Sequence, residues 1–195
     1  MAANIRGILL AAGYSRRFGS NKLLQALPAG SQDAGVLIGL ASARHMLEAL
    51  PDSVAVVRPR AQKLSKVLRD AGCNIVVCRN SSDGMGTTLA AGVRASADAH
   101  GWVVALADMP FIRPETIRII AKALSEGAAI AAPSYRGERG HPVGFARRFL
   151  DELSGLSGDA GARDILKQHP DWVTLYEVDD PGVLRDIDRP SDLTR

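Results

Sequence analysis

A run of small residues followed by two cations lies near the N-terminus of this chain of 195 residues. Ala11, Ala12 and Gly13 directly follow an apolar segment, and such small side chains let a ligand lie against the backbone, where successive N–H groups can face phosphate oxygens. Arg17 and Lys22 come shortly afterwards and could neutralise phosphate charge. The spacing matches neither a P-loop nor the dinucleotide-binding fingerprint. A phosphate-binding loop and a surface loop with solvated cations both fit the run.

Asp108 supplies a carboxylate at a position that suits a metal ion. It follows the apolar run 102–107, which has the character of a buried strand, and ligands of open α/β sheets bind at the carboxyl ends of strands. Mg²⁺ prefers oxygen ligands, usually one or two carboxylates together with substrate phosphates. Asp108 could equally be a turn residue before Pro110. A second carboxylate could come from the acidic C-terminal stretch, which contains Asp179, Asp180, Asp186 and Asp188.

A glycine-containing loop at 84–88 precedes a segment rich in Ala. Its amide N–H groups and threonine hydroxyls could lie at the N-terminus of a helix, where anions bind readily. An ordinary loop-to-helix turn with threonine capping explains the same residues. The loop is therefore a second candidate for ligand contact.

The apolar pattern predicts the elements that must position these residues. Short β-rich runs without period-two alternation are typical of strands buried on both faces, and segments with helical spacing separate them. Strands are expected at 5–10, 54–57, 74–78, 102–107 and 129–132, and helices at 36–50, 64–71, 86–99 and 114–124. This alternation predicts a three-layer α/β/α, Rossmann-like fold with a mainly parallel sheet.

The last third of the chain has a different character. Strands are expected at 143–145 and 173–178, and helices near 149–153 and 160–168, which together could form an antiparallel flap or an extension of the sheet. The sequence shows no repeat, low-complexity segment or linker. We therefore expect residues 1–195 to form a single domain.

The composition argues against several classes of protein. The apolar fraction of 46% and charged fraction of 23% suit a soluble folded domain, and the net charge of +3 is spread along the chain rather than grouped as in a nucleic-acid binder. Cys73 and Cys78 fit buried apolar positions better than a metal site or disulfide. Neither a signal peptide nor a membrane-spanning run is apparent, so we expect a cytoplasmic protein that binds neither membranes nor nucleic acid.

Several short motifs occur in order along nearly the whole chain. The first is L-A-A-G-x-S-x-R-F-G-x-x-K-L-L at 10–24. It is followed by G-M-G-T-T-L at 84–89, A-D-M-P at 107–110, R-G-H-P-V-G-F at 139–145, G-D-A-G-A-R at 158–163 and D-I-D-R-P-S-D-L at 186–193. Together they resemble the signature of the MobA-like nucleotidyltransferases, in particular the MocA-like molybdenum cofactor cytidylyltransferases. The resemblance implies a fold of the nucleotide-diphospho-sugar transferase type.

The resemblance also implies a reaction and its residues. CMP would pass from CTP to the phosphate of molybdenum-bound molybdopterin, with Mg²⁺ as cofactor and pyrophosphate as the second product. Arg17, Lys22 and Asp108 would be the catalytic residues. Asp108 and Asp186 would hold the metal, with Asp188 as the alternative second ligand. The residues implied in nucleotide binding are Leu10, Ala11, Ala12, Gly13, Lys22, Gly84, Met85 and Thr88.

Two further positions bear on the choice of nucleotide base and of acceptor. The chain has Ala12 where guanylyltransferase relatives have glycine, and a methyl group there would narrow the base pocket and favour a pyrimidine. Arg139 and His141 lie in a Gly-rich loop that could close over an anionic pterin phosphate, although a histidine before Pro142 also suits a turn.

The same sequence features also fit three alternative functions. They are a GTP-dependent guanylyltransferase, a sugar- or polyol-phosphate cytidylyltransferase, and a chaperone that delivers molybdenum cofactor without chemistry. An apo-molybdoenzyme or its chaperone would be a possible protein partner.

Overall fold

The computed structural model describes residues 3–15, 18–159 and 161–194. The strands are β1 (Ile5–Ala11), β2 (Val54–Val57), β3 (Asn74–Val77), β4 (Gly101–Leu106), β5 (Ile130–Tyr135), β6 (Glu138–Arg139), β7 (Val143–Ala146) and β8 (Val173–Glu177). The α-helices are α1 (Ile38–Ala49), α2 (Gln62–Asp70), α3 (Met85–Ala95), α4 (Pro114–Ser125), α5 (Leu150–Ser154) and α6 (Arg163–Gln168). Short 3₁₀ turns include Lys22–Leu24, Ser81–Asp83 and Pro181–Leu184.

The strands form one mixed sheet in the order β3-β2-β1-β4-β7-β5-β6, with β8 paired to β5. Strands β1 to β4 are mutually parallel, and Leu10 of β1 lies opposite Leu106 of β4 near their carboxyl ends. Strand β7 is antiparallel to both β4 and β5, whereas β8 runs parallel to β5. The last third of the chain therefore extends the sheet.

Helices cover both faces of the sheet, because successive strand residues bury apolar side chains on opposite faces. Leu9 of β1 belongs to a core with residues of α1, α2 and α4. Ile8, its neighbour, belongs to a second core with residues of α3, α5 and α6. This arrangement confirms the three-layer, mainly parallel α/β prediction.

Strand β6 was not predicted, and two of the predicted elements differ in burial or length for a clear structural reason. Strand β3 is not buried on both faces, since it lies at the edge of the sheet and Val77 is 54% exposed. Helix α3 ends at Ala95 rather than continuing to residue 99, because the chain turns there toward β4 and the indole N–H of Trp102 donates to the carbonyl of Ser96 at 3.2 Å. Neither feature is encoded in local apolar spacing.

None of the helices in the described ranges is both long and apolar enough to cross a membrane.

Candidate functional site

A cleft of about 400 Å³, called here the main cleft, opens at the carboxyl ends of β1 and β4. Most of the residues implied by the sequence line it, namely Leu10, Ala12, Gly13, Lys22, Gly84, Met85, Thr88 and Asp108. Segments far apart in the chain thus meet at the edge of the sheet where ligands of such folds bind.

Lys22 lies between two carboxylates in the main cleft. Its Nζ is 2.7 Å from Oδ2 of Asp108 and 2.9 Å from Oδ1 of Asp188, and its side chain is only 10% exposed. Burial alone would lower the pKa of Lys22, but the two carboxylates outweigh it and the pKa is raised. Lys22 is therefore a firmly charged ammonium group.

One carboxylate oxygen of Asp108 has no partner within the described part of the chain. Its Oδ2 accepts from Lys22, whereas its Oδ1 is buried and has no hydrogen-bond partner among the described residues. Buried polar atoms in folded proteins are usually paired. The unpaired oxygen at the mouth of β4 is therefore available to a ligand.

The C-terminal segment is fixed beside Asp108. The backbone N–H of Ile187 donates to the carbonyl of Asp108 at 2.9 Å, and the Ile187 side chain is fully buried. Asp188, which follows Ile187, lines the main cleft. Asp186, which precedes Ile187, is exposed and does not line the cleft. Partial burial of its carboxyl group, with the negative charges of Asp188 and Asp108, raises the pKa of Asp186.

The loop after β1 forms the opposite wall of the main cleft. Ala12 and Gly13 both line the cleft, and no atom of a described residue lies within 4 Å of the place where a Cβ on Gly13 would be, so the backbone there is open to a ligand. The hydroxyl of Ser15 accepts from the backbone N–H of Lys22 at 3.4 Å. Arg58 donates to the carbonyl of Gly13 at 3.3 Å. Ala11, by contrast, is buried and does not line the cleft.

The N-terminus of α3 closes another side of the main cleft. Gly84 directly precedes α3 and has a φ of +115°, a conformation that favours glycine. Thr88 is 4% exposed, and its hydroxyl donates to the carbonyl of Gly84 at 3.2 Å. The threonine therefore stabilises the first turn of α3 while lining the cleft.

A second cavity of about 260 Å³, called here the side cavity, adjoins the main cleft, since Leu10, Met85 and Leu106 line both. Its walls are largely apolar, and its charged or titratable members are Arg139, His141 and Arg163. Arg139 and His141, which the sequence places in one loop, both line the side cavity, and neither lines the main cleft.

The surroundings of His141 favour its neutral form. Burial lowers its pKa and the positive charge of Arg139 acts in the same direction, while the negative charge of Asp108 opposes them. Its Nδ1 is buried without a hydrogen-bond partner among the described residues, and its backbone N–H donates to the carbonyl of Val183 at 2.9 Å.

Several lining residues of the main cleft were not assigned from the sequence. They are Tyr14, Ser15, Leu23, Ser81, Ser82, Leu106 and Asp159. Ser81 could have been found because it follows β3 at the edge where strands end, but a lone serine gives no chemical signal. Arg17, predicted to be catalytic, lies outside the described residues. The site assignments, including the choice between Asp186 and Asp188, stay predictions.

Two curated proteins are similar to this chain over almost its whole length. The purine catabolism protein PucB of Bacillus subtilis (strain 168) is 32% identical over 198 aligned positions, which cover 95% of this chain and 92% of PucB. Nicotine blue oxidoreductase of Paenarthrobacter nicotinovorans is 30% identical, with 98% of this chain and 95% of the relative covered.

Solved structures share the fold. Rv0371c of Mycobacterium tuberculosis H37Rv is 29% identical, with a TM-score of 0.79 over 100% of this chain and 97% of the other. A complex of that protein with manganese is 27% identical, with a TM-score of 0.76 over 98% and 97%. A nucleotidyl transferase from Methanothermobacter is 26% identical, with a TM-score of 0.80 over 98% and 95%.

A family match accounts for most of the chain. Residues 7–173 match the family described as MobA-like NTP transferase domain, which spans the sheet from β1 to the start of β8. The order of motifs, the three-layer fold and the charged cleft at the carboxyl ends of β1 and β4 all agree with this match. The chain therefore belongs to the MobA-like NTP transferase family of nucleotidyltransferases.

Proposed function

We propose that this protein transfers CMP from CTP to the terminal phosphate of molybdenum-bound molybdopterin and releases pyrophosphate. The observation that carries the proposal is the charge arrangement in the main cleft, where Lys22 faces Asp108 and Asp188 beside the open backbone of Ala12 and Gly13. A cation and exposed amides suit a triphosphate, and carboxylates suit a divalent metal ion.

The residues present suit a Mg²⁺ ion. Asp108 Oδ1 is a buried oxygen that none of the described residues pairs with, and oxygen is the ligand type that Mg²⁺ prefers. No cluster of three or more metal-ligating side chains occurs in the described ranges, which agrees with a metal held by one or two carboxylates together with substrate phosphates. Asp108 would be one ligand, and Asp186 the second, with Asp188 as the alternative. Bound Mg²⁺ would supply charge neutralisation at the phosphate oxygens. The manganese complex of Rv0371c supports a divalent ion in this fold.

The transfer itself is an in-line substitution at phosphorus. An oxygen of the acceptor phosphate forms a bond to the α-phosphorus of CTP, and the bond from that phosphorus to the bridging oxygen of the β-phosphate breaks. A phosphate monoester is already anionic near neutral pH, so the chain need not supply a strong base. Lys22, kept charged by its surroundings, would bind the triphosphate and stabilise the departing pyrophosphate. Positioning and charge neutralisation would provide most of the rate enhancement.

The choice of CTP is supported by the floor of the main cleft. Ala12 is buried there, and its methyl group would narrow the space for a purine base. Such a size difference is worth about 1–3 kcal/mol. This supports a pyrimidine nucleotide rather than GTP.

The side cavity is the proposed acceptor site. It adjoins the main cleft, so an acceptor there would lie next to the nucleotide. Apolar walls suit the pterin ring system, and Arg139 with His141 would face its anionic end. Because His141 is neutral, Arg139 would carry the charge in this contact.

An assay of the purified protein tests the proposal. Mg²⁺, molybdenum-loaded molybdopterin and each of CTP, GTP, ATP and UTP are supplied in turn, and pyrophosphate is measured. We expect release with CTP that depends on the acceptor. Turnover that prefers GTP would overturn the base assignment, and turnover only with a sugar or polyol phosphate would overturn the acceptor. Tight pterin binding without any pyrophosphate would indicate a delivery protein instead.

A further inference from the structure

Ser81 carries a buried hydroxyl that the proposed chemistry does not use. The residue lies in the 3₁₀ turn Ser81–Asp83, which follows β3, and it is 6% exposed. Its Oγ is buried without a hydrogen-bond partner among the described residues, and the residue lines the main cleft. Because buried hydroxyls are normally paired, this one points to a ligand atom.

Asp159 reaches the same part of the main cleft from a different segment. The backbone N–H of Gly86 donates to the carbonyl of Gly158 at 2.8 Å, which ties this segment to the first turn of α3. A Cβ placed on Gly84 would lie 2.5 Å from Oδ1 of Asp159, so only glycine lets the carboxylate come so close. No described lysine, arginine or histidine forms an ion pair with Asp159.

Gly84 lies next to both residues. Its backbone N–H donates to the backbone carbonyl of Ser81 at 3.5 Å, and the position of a Cβ on Gly84 lies 2.5 Å from Oδ1 of Asp159. Ser81 and Asp159 are therefore both close to the residue that precedes α3, and both line the main cleft. The proposed triphosphate ligands, Lys22 and the loop after β1, belong to other segments of the lining. A carboxylate would repel phosphates, so Asp159 suits an uncharged part of the nucleotide.

We propose that Ser81 and Asp159 read the edge of the nucleotide base and select a base whose exocyclic amino group lies next to a ring acceptor nitrogen. This inference rests on the proposed nucleotidyl transfer and assigns its base-reading residues. An ionised carboxylate only accepts hydrogen bonds, so Asp159 pairs with the amino group of cytosine and leaves the carbonyl of uracil opposed by negative charge. The Ser81 hydroxyl donates to the ring nitrogen of cytosine and can reverse its role toward uracil.

The pattern separates the two pyrimidines, which base size alone does not do. Uracil has a carbonyl next to a ring N–H and no amino group, so Asp159 should disfavour UTP. Adenine has an amino group next to a ring acceptor, and guanine has an amino group and a ring N–H that can both donate to a carboxylate, so Asp159 excludes neither purine. Ala12 should disfavour ATP and GTP through size, which leaves CTP as the preferred nucleotide.

Nucleotide binding by three variants tests the pair. Dissociation constants of CTP, UTP, ATP and GTP are measured by calorimetry in Mg²⁺ without acceptor. The wild-type protein should bind CTP at least about tenfold more tightly than UTP. Asp159→Asn should bring the CTP/UTP ratio close to one, since an amide can also donate to a carbonyl. Ser81→Ala should weaken both nucleotides by about three- to tenfold and keep their ratio. Asp83→Asn, an exposed carboxylate on the same turn, is the matched control and should match wild type.

The outcomes separate this inference from the proposed function. An unchanged CTP/UTP ratio in Asp159→Asn, or a wild-type protein that binds UTP more tightly than CTP, would overturn base reading by the pair. Tighter binding of ATP or GTP than of CTP would overturn the size argument at Ala12. If CMP transfer to the pterin proceeds while that ratio is unchanged, the inference fails and the proposed function stands. If none of the four nucleotides binds in Mg²⁺, both fail.

Discussion

At the scale of single residues, one positive and two negative side chains lie within hydrogen-bonding distance of each other in the main cleft. Lys22 bridges the carboxylates of Asp108 and Asp188, and their negative charges raise the pKa of Lys22 and keep it charged. In this arrangement the carboxylates are preorganised for a cation, and the ammonium group is preorganised for phosphates. Oδ1 of Asp108 has no hydrogen-bond partner among the described residues and is the oxygen that remains for a ligand.

Replacing Asp108 tests its assigned role. Asp108→Asn should lower kcat for pyrophosphate release by at least about 100-fold, because it removes a charge that acts on the reacting phosphates. The urea midpoint should change little, since Lys22 keeps Asp188 as a partner. Asp98→Asn is the matched control, because that carboxylate is 66% exposed and pairs with Arg6 at the surface. Near-wild-type turnover in Asp108→Asn would refute the metal-ligand assignment.

His141 makes stability depend on pH. Burial lowers its pKa in the folded protein below the value of about 6.5 for an unfolded chain, so the unfolded chain binds more protons between the two values. The contribution of His141 is therefore fully present above about pH 6.5 and is lost as the pH falls toward its folded pKa.

Urea unfolding at pH 7.5 and pH 5.5 in metal-free buffer measures this effect. His141→Gln should lose less stability between the two pH values than wild type does, because it no longer has a group to protonate. Equal losses in both proteins would mean that His141 does not titrate in this range.

At the scale of elements, Asp180 connects the C-terminal segment to α4. It is 2% exposed, and it accepts from the backbone N–H of Arg113 at 2.9 Å, the hydroxyl of Thr116 at 2.7 Å and the backbone N–H of Gly182 at 3.0 Å. One carboxylate thus caps the start of α4 and fixes the turn Pro181–Leu184. The carbonyl of Val183 in this turn accepts from the backbone N–H of His141.

Asp180→Ala should lower the free energy of unfolding by about 3 kcal/mol, because it leaves buried donors without an acceptor. Chemical denaturation measures the change. Asp179→Ala is the control. Asp179 is exposed and contributes only its backbone carbonyl to Arg113, and the substitution keeps that carbonyl. Equal losses in the two variants would contradict a capping role for Asp180.

Gly84 joins the main cleft to the segment that contains Asp159. A methyl group at Gly84 would lie 2.3 Å from the carbonyl carbon of Gly158, in addition to the strain of a φ of +115°. Gly127 has a similar φ of +103° but no neighbouring atom within 4 Å. Gly127→Ala should therefore cost only about 1–2 kcal/mol of backbone strain, and Gly84→Ala should cost clearly more and also weaken CTP binding. Similar unfolding free energies for the two variants would show that residues 158 and 159 move away from the methyl group without a loss of stability.

At the scale of the whole molecule, the apolar pattern was enough to predict the parallel half of the sheet. The runs at 5–10, 54–57 and 102–107 each became a strand, because strands buried on both faces leave a clear local signal. The edge position of β3 and the parallel pairing of β8 with β5 were not predictable in this way. They depend on which strands meet in space, and a single strand carries no record of its neighbours.

The candidate site was predictable to the same extent. Lys22 and Asp108 follow strand ends, so their meeting could be foreseen from the rule that ligands bind there. Asp188 and Asp159 reach the main cleft through turns whose paths depend on tertiary contacts, such as the bond from Ile187 to Asp108. The net charge of +3 likewise conceals the opposed charges within the cleft.

In the proposed reaction, residues of the main cleft transfer a nucleotidyl group to an acceptor in the side cavity. The most direct measurement is mass spectrometry of the pterin after incubation of the protein with CTP, Mg²⁺ and molybdenum-loaded molybdopterin, with pyrophosphate counted in parallel. We predict a pterin product heavier by one CMP, formed in equal amount to pyrophosphate and absent when Mg²⁺ is withheld. An unmodified pterin, with CTP intact in the presence of Mg²⁺, would contradict the claim.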